Sequence, residues 1–262
     1  MRFPVETVIA ERFSLILNSI NNFIATFSLS VSEAVKSAFI DRKIYVDNFL
    51  ENLRKITWTC IPISALTVGA SSIVSSIHTA PAIASHGGTS YLGGLIALGL
   101  IREGVPVMAT LAIVTQFCSG KTAEIGSMKI TEQLDAMKLA KVSPSSYILF
   151  PMLLAGFIGF PVIISICMFF GLIVNFFISN LLIHISQTLY ISSIYNSIEI
   201  NDIMLGLVKA SVFGIIVTAI SYTCGILTKG GSKAVGSSTR LSVVINFALV
   251  VILDYIITAL WI

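Results

Sequence analysis

Four ionisable side chains lie inside long apolar stretches of the sequence: Arg102, Glu103, Lys209 and Asp254. A charge at the centre of a membrane-spanning helix costs roughly 2.5–3.5 kcal/mol on insertion scales. Charged residues within membrane-spanning helices therefore face a cavity, a partner charge or a substrate. Arg102 and Glu103 fall near the middle of their stretch, where neither side chain reaches water easily, so we expect both to serve function.

Lys209 and Asp254 each admit two interpretations. Lys209 lies about 9 Å from the end of its apolar stretch at 1.5 Å per residue, so its side chain either enters a pocket or extends to the membrane surface. Asp254 is best interpreted as an interhelical hydrogen-bond partner. Arg102 and Glu103 are consecutive and point about 100° apart on a helix. One of them can therefore face an anionic group while the other meets a cation such as Lys209.

A charged segment, residues 121–141, separates two apolar stretches and is too polar to cross a bilayer. Its ionisable residues are Lys121, Glu124, Lys129, Glu132, Asp135, Lys138 and Lys141. The segment predicts an amphipathic helix outside the membrane. Its apolar residues, Met128 among them, recur only loosely at helical spacing, so the choice lies between a docking helix for a cytoplasmic protein and a solvated helix without a partner.

The composition shows which elements must position these residues. Only 11% of the 262 residues are charged and the mean hydropathy is +0.93, whereas about a quarter of a soluble domain is charged. Five apolar stretches are long enough to cross a hydrocarbon core of about 30 Å: 56–80, 91–119, 146–177, 203–227 and 240–262. We therefore predict an all-α integral membrane protein with five transmembrane helices and a transmembrane domain over 56–262.

The N-terminal segment, residues 1–55, is more polar. Apolar residues recur at three- and four-residue steps over 5–29, opposite asparagine and serine, and predict an amphipathic helix at the membrane surface. A short spanning helix is the alternative, because no residue between Ser14 and Ser32 is charged. Residues 180–202 are weakly apolar and are expected to form a long loop.

The basic residues predict the orientation. Fourteen of the 16 lysines and arginines fall in the N-terminal segment, in 121–141 or around 229–240, and the other two lie inside spans. By the positive-inside rule these parts are cytoplasmic and the C-terminus lies on the far side of the membrane.

Several kinds of chemistry find no support in the sequence. The four cysteines and three histidines are scattered and lack the spacing of a metal or redox site. No Walker A sequence is present, so an ATPase that drives this chain would be another polypeptide. We expect no cofactor, no metal and no catalytic residue.

A sequence pattern in the middle third resembles a known family. The run Arg-Glu-Gly-Val-Pro at 102–106 is followed by Ala-Glu-Ile-Gly-Ser-Met-Lys-Ile-Thr-Glu-Gln-Leu-Asp-Ala-Met at 123–137, then by Pro144 and Pro151. This pattern resembles the MlaE-type permease family of lipid-transporting ABC systems, over nearly the whole chain. Family members typically read R-E-x-G-P, so the glycine is displaced by one position here, and their usual arginine near 116–118 is absent.

The resemblance implies a homodimeric permease subunit that moves phospholipid and performs no covalent chemistry. It places Arg102, Glu103 and Lys209 around a lipid cavity. It also implies a cytoplasmic ATPase partner and an MCE-type lipid-binding protein on the far side, in a bacterial inner membrane or, alternatively, a plastid inner envelope. The residues expected to couple to the ATPase are Glu124, Met128, Glu132 and Asp135.

Two other functions remain open from the residues. An ion- or proton-coupled carrier could use Glu103 and Lys209, and would transport in energised vesicles depleted of ATP. A non-transporting membrane scaffold would tolerate replacement of Arg102 and Glu103.

Overall fold

The computed structural model describes residues 20–36 and 46–261. The helices in these ranges are α1 over 20–36, α2 Val46–Ser85, α3 Thr89–Ile130, α4 Gln133–Leu139, α5 Ser145–Ile183, α6 Gln187–Ser197, α7 Ile200–Ile226 and α8 Ser232–Trp261. Five of these, α2, α3, α5, α7 and α8, are long and apolar enough to cross a membrane. The prediction of an all-α, multi-pass membrane protein is confirmed. Residues 5–19 of the predicted N-terminal amphipathic helix lie outside the described ranges.

Several long helices widen by one π-helical turn close to a proline. The turns Leu100–Gly104 and Ser145–Leu149 lie just before Pro106 and Pro151, and Lys55–Thr59 precedes Pro62. Proline cannot donate a backbone hydrogen bond, and its ring clashes with the carbonyl four residues earlier. A wider turn accommodates that clash without ending the helix. The helices therefore continue through these prolines.

Helix α5 packs between α2 and α7, and glycines allow the close approach. A methyl group built on Gly156 would lie 2.5 Å from the carbonyl oxygen of Gly214, so the backbones of α5 and α7 touch at this point. On the α2 side, Gly159 faces Ile56 and Gly171 faces Ser72. Small residues at helix crossings are the usual means of close packing in membranes, where burial of apolar surface gives little driving force.

Helix α6 lies where the sequence predicted a loop over 180–202. Ser186 accepts a hydrogen bond from the backbone of Leu189 and caps its N-terminus, and Ser193 accepts one from the backbone of Gly94 in α3. Tyr190 donates a 2.8 Å hydrogen bond to Asn175 of α5. The weakly apolar sequence of this segment has no long-range periodicity, and its helix is held by these tertiary contacts.

Three predicted boundaries also differ from the structure. Helix α2 begins at Val46, before the predicted first span of 56–80, and Glu51 and Lys55 form an ion pair one turn apart in this added part. Helix α8 begins at Ser232, inside the predicted loop before residue 240. The predicted single helix over 121–141 is divided, because α3 ends at Ile130 and Glu132 adopts a left-handed backbone with φ of 59° before α4 begins.

The glycine contact gives a test of the packing. We expect Gly156→Ala to lower the stability of the protein in detergent by about 1–3 kcal/mol, because the new methyl group overlaps the α7 backbone. Gly120→Ala is the matched control, since a methyl group there meets no atom within 4 Å. Thermal unfolding should show a lower midpoint for the first variant only. Equal midpoints in both variants would contradict the close contact.

Candidate functional site

The buried ammonium of Lys209 joins three membrane helices. Lys209 belongs to α7 and its side chain is fully buried. Its Nζ lies 2.6 Å from Glu103 Oε2 of α3, to which it donates a hydrogen bond. It also lies 2.7 Å from Asp254 Oδ1 of α8, as an ion pair without hydrogen-bond geometry. Two carboxylates therefore surround one lysine.

The same ammonium satisfies a backbone carbonyl that proline leaves without its helical donor. Pro106 has no N–H to offer the carbonyl of Arg102, four residues earlier. Lys209 Nζ donates to this Arg102 oxygen at 2.9 Å. An unsatisfied carbonyl is costly in a membrane, so this contact ties α7 to the π-helical turn of α3.

Arg102 points away from Lys209 and pairs with Asp202 at the start of α7. Its Nε donates to Asp202 Oδ1 at 2.6 Å, and its Nη2 lies 2.5 Å from the same oxygen. The other Asp202 oxygen accepts the backbone N–H of Glu199 at 2.9 Å in a reciprocal capping box. Asp202 is therefore fixed on both sides, whereas 43% of the Arg102 side chain stays exposed.

Arg102, Glu103 and Asp202 line an open cavity of about 550 Å³, here called the outer pocket. Its lining residues are Leu98, Gly99, Arg102, Glu103, Glu199, Asn201, Asp202, Leu205, Thr258 and Trp261. The pocket lies level with the first turns of α7 and the last turns of α8, the end of the bundle that the positive-inside rule predicts to be non-cytoplasmic.

The structure brings Arg102, Glu103 and Lys209 together, as the sequence pattern led us to expect. The Lys209 side chain is fully buried and does not extend to the membrane surface, but it is not among the residues that line the outer pocket. Asp254 joins helices as predicted, but through an ion pair with Lys209. Sequence reasoning missed Asp202, which fell in the predicted loop, and Thr258, which donates to Glu103 Oε1 at 2.9 Å.

The residues of the charged segment lie at the other end of α3, far from the outer pocket. Glu124 pairs with Lys121 at 2.9 Å, and Lys129 donates to both oxygens of Asp135. These hydrogen bonds from Lys129, with the nearby Lys138, lower the pKa of the half-buried Asp135. Met128 packs against the core, while Glu132 is exposed.

Metal chemistry finds no support in the described ranges, 20–36 and 46–261. No group of three or more histidine, cysteine, aspartate or glutamate residues there is arranged to hold an ion. Cys60, Cys118, Cys167 and Cys224 are buried free thiols, in keeping with packing residues.

Comparison with known proteins links the chain to membrane transport. The sequence profile described as permease MlaE matches residues 49–260. The chain is 32% identical over 208 residues to a probable ABC transporter permease protein of Synechocystis sp., covering 79% of each chain. It is 30% identical over 238 residues to one of Rickettsia felis, covering 91% of this chain and 92% of the relative. It is 27% identical over 217 residues to the Arabidopsis thaliana protein TRIGALACTOSYLDIACYLGLYCEROL 1, chloroplastic, covering 83% of this chain and 62% of the relative.

The ion cluster can be tested by removing its central charge. We expect Lys209→Met to destabilise the protein by about 3 kcal/mol, because it leaves Glu103 and Asp254 as unpaired carboxylates in a low dielectric. Adding Asp254→Asn should recover part of that loss, since one of the two charges is then gone. Thermal unfolding in detergent measures both, with the exposed Lys229→Met as control. A double variant no more stable than the single one would refute the charge pairing with Asp254.

Proposed function

The chain belongs to the MlaE permease family, and from that premise we propose that it moves phospholipid, with the lipid head group bound in the outer pocket. The family and the relatives make it a permease subunit of an ABC transporter. The phospholipid substrate, its binding site and the partner chains are proposed here. One relative carries the name of a galactolipid, trigalactosyldiacylglycerol, which is consistent with a lipid cargo.

The exposed part of Arg102 is the observation that carries this proposal. Asp202 engages only Nε and Nη2 of the guanidinium, so further N–H donors of Arg102 remain in a pocket open to solvent. A guanidinium stays charged at any physiological pH and offers a fork that matches two phosphate oxygens. Asp202 holds the arginine in place, so little side-chain freedom is lost when phosphate binds.

The rest of the pocket suits an amphipathic ligand with a zwitterionic head. Leu98, Leu205 and Trp261 give the pocket apolar walls for the glycerol and upper acyl carbons. With every group ionised, the three carboxylates of the cluster outnumber its two cations by one. Glu103 is 42% exposed and can receive an ammonium group. A phosphate on Arg102 with an amine beside Glu103 leaves the pocket nearer to neutral than an anionic head would.

The charged segment would transmit the action of the ATPase. Residues 121–139 comprise the end of α3 and all of α4, on the side of the membrane that the basic residues make cytoplasmic. Glu124, Met128, Glu132 and Asp135 are the residues we expect a separate ATPase subunit to contact. The proposal also includes a homodimer and an MCE-type lipid-binding protein on the far side. A bacterial inner membrane is the expected location, and the chloroplast relative fits the plastid alternative.

A proton-coupled carrier is the second candidate, and the surplus carboxylate favours it. Glu103 and Asp254 share one lysine, so protonation of either would relieve repulsion between them. Such a carrier would move lipid in energised vesicles that contain no ATP. Transport that requires both ATP and the ATPase subunit would exclude it.

Replacing Arg102 tests the head-group site. We expect Arg102→Ala to reduce the phospholipid that co-purifies with the protein by about tenfold and to abolish transport, because the contact of a charged donor with phosphate is worth about 1.5–3 kcal/mol. Arg102→Lys should recover part of both, since it keeps the charge without the fork. Lipid per protein and lipid transfer between vesicles are the measurements.

The exposed Arg240 of α8 provides the control, because it lies outside the outer pocket. Arg240→Ala should leave bound lipid and transport unchanged. Full transport and unchanged bound lipid in Arg102→Ala would make Arg102 a structural residue, and the site would be refuted.

Charge reversal in α4 tests the coupling role. We expect Glu132→Lys to weaken co-purification of the ATPase and its stimulation while the permease remains folded, because exposed substitutions usually change stability by no more than about 0.5 kcal/mol. Lys229→Glu, in the turn before α8, is the matched reversal elsewhere on the same side. Normal ATPase association and stimulation in the Glu132 variant would remove this residue from the coupling surface.

A further inference from the structure

A second cavity, of about 1030 Å³, opens at the opposite end of the bundle from the outer pocket. We call it the inner pocket. Its walls come from α1, from the end of α3, from α4, from residues 141–146 and from the last turn of α7. None of the residues assigned above to lipid binding lines it. The basic residues of these elements place the inner pocket on the cytoplasmic side.

Positive charge predominates around the inner pocket. Four lysines line it, Lys36, Lys129, Lys138 and Lys141, against the single acidic lining residue Glu33. Asp135 pairs with Lys129 and Lys138. Across the part of the chain that the structure describes, neither Lys36 nor Lys141 has an ion-pair partner. The four lysines come from four parts of the chain, namely α1, the end of α3, α4 and the turn after α4, so an anion in the cavity would meet positive charge from several sides.

The depth of the inner pocket is that of the lipid head groups. Ser145 begins the membrane helix α5, and Ile226 ends the membrane helix α7. Both residues line the pocket. The cavity is therefore level with the ends of two spans, where the hydrocarbon core meets the head-group region.

The floor of the inner pocket combines apolar side chains with hydroxyl groups. Leu29, Leu134 and Ile226 supply apolar surface to the same cavity. Ser145 Oγ donates to Glu33 Oε2 at 3.3 Å and lies 3.4 Å from the Tyr222 hydroxyl. Lysines and apolar side chains in one cavity suit a phosphate attached to a glycerol and acyl chains better than they suit a free inorganic anion.

We propose that the inner pocket binds the head group of an anionic phospholipid from the cytoplasmic leaflet. The phosphate lies among Lys36, Lys138 and Lys141 and neutralises their repulsion. The bound lipid thereby holds α1 against α4 and the turn that follows α4. This site differs from the outer pocket in position and in preference, because the cluster there carries a surplus of carboxylates.

Binding of matched lipids tests the proposal. The full-length protein is placed in zwitterionic phosphatidylcholine nanodiscs, and binding of fluorescent phosphatidylglycerol with the same acyl chains is measured. Each lysine near a membrane surface contributes about 1 kcal/mol to attraction of anionic lipid, which is about fivefold in affinity. We therefore expect the double variant Lys36→Gln/Lys141→Gln to bind phosphatidylglycerol about 25-fold more weakly than the parent chain.

Three controls separate the site from general charge, from free phosphate and from the outer pocket. Lys229→Gln/Lys233→Gln removes two exposed lysines on the same side of the membrane and outside the pocket, and should leave the affinity nearly unchanged. Inorganic phosphate, added at the same concentration as the fluorescent phosphatidylglycerol, should not displace that lipid. Arg102→Ala should retain phosphatidylglycerol binding, so that loss of the outer site and loss of the inner site give different results.

Two results would overturn the proposal. One is equal loss of affinity in the two double variants, which would show attraction by net charge alone. The other is unchanged phosphatidylglycerol binding in Lys36→Gln/Lys141→Gln, which would leave the inner pocket without a lipid ligand. Displacement by inorganic phosphate would assign the pocket to a free anion and would likewise contradict a lipid site.

Discussion

The outer half of the bundle depends on how one buried ammonium is neutralised. Lys209 is fully buried in α7, and an isolated charge there would be very costly. Glu103 of α3 and Asp254 of α8 supply the counter-charges, and the Arg102 carbonyl supplies a further acceptor. Three helices must therefore meet at one atom. That requirement fixes how α3, α7 and α8 are aligned along their axes, and it leaves Arg102 facing the outer pocket.

Proline and glycine residues allow α3, α7 and α8 to meet at Lys209. Pro106 removes a helical hydrogen bond in α3, and the freed carbonyl becomes a ligand for Lys209. Gly156 and Gly214 let α5 and α7 touch through their backbones, so α7 is held from both sides. Residues that weaken an isolated helix in water thus serve here to connect helices.

The two pockets lie at opposite ends of the same helix. From Arg102 to Lys129 α3 is about 40 Å long at 1.5 Å per residue, and it is continuous to Ile130. Movement of its cytoplasmic end against α4 can therefore be carried to the turn that holds Arg102 and Glu103. The separation also gives each pocket its own charge, with surplus carboxylates near the outer pocket and surplus lysines around the inner pocket.

The sequence by itself determined the five spans, the orientation expected from its basic residues, and the presence of the charges Arg102, Glu103 and Lys209 within those spans. These conclusions rest on the cost of charge in an apolar medium, which depends on composition along the chain and not on the fold. The tertiary structure alone decided that Asp202 and Asp254 complete the cluster, because their partners lie 100 and 45 residues away in sequence. It also decided that α6 is a helix and that 121–141 is divided at Glu132. Local patterns could not give these results, since contacts between distant residues hold α6 and no periodicity marks a single left-handed residue.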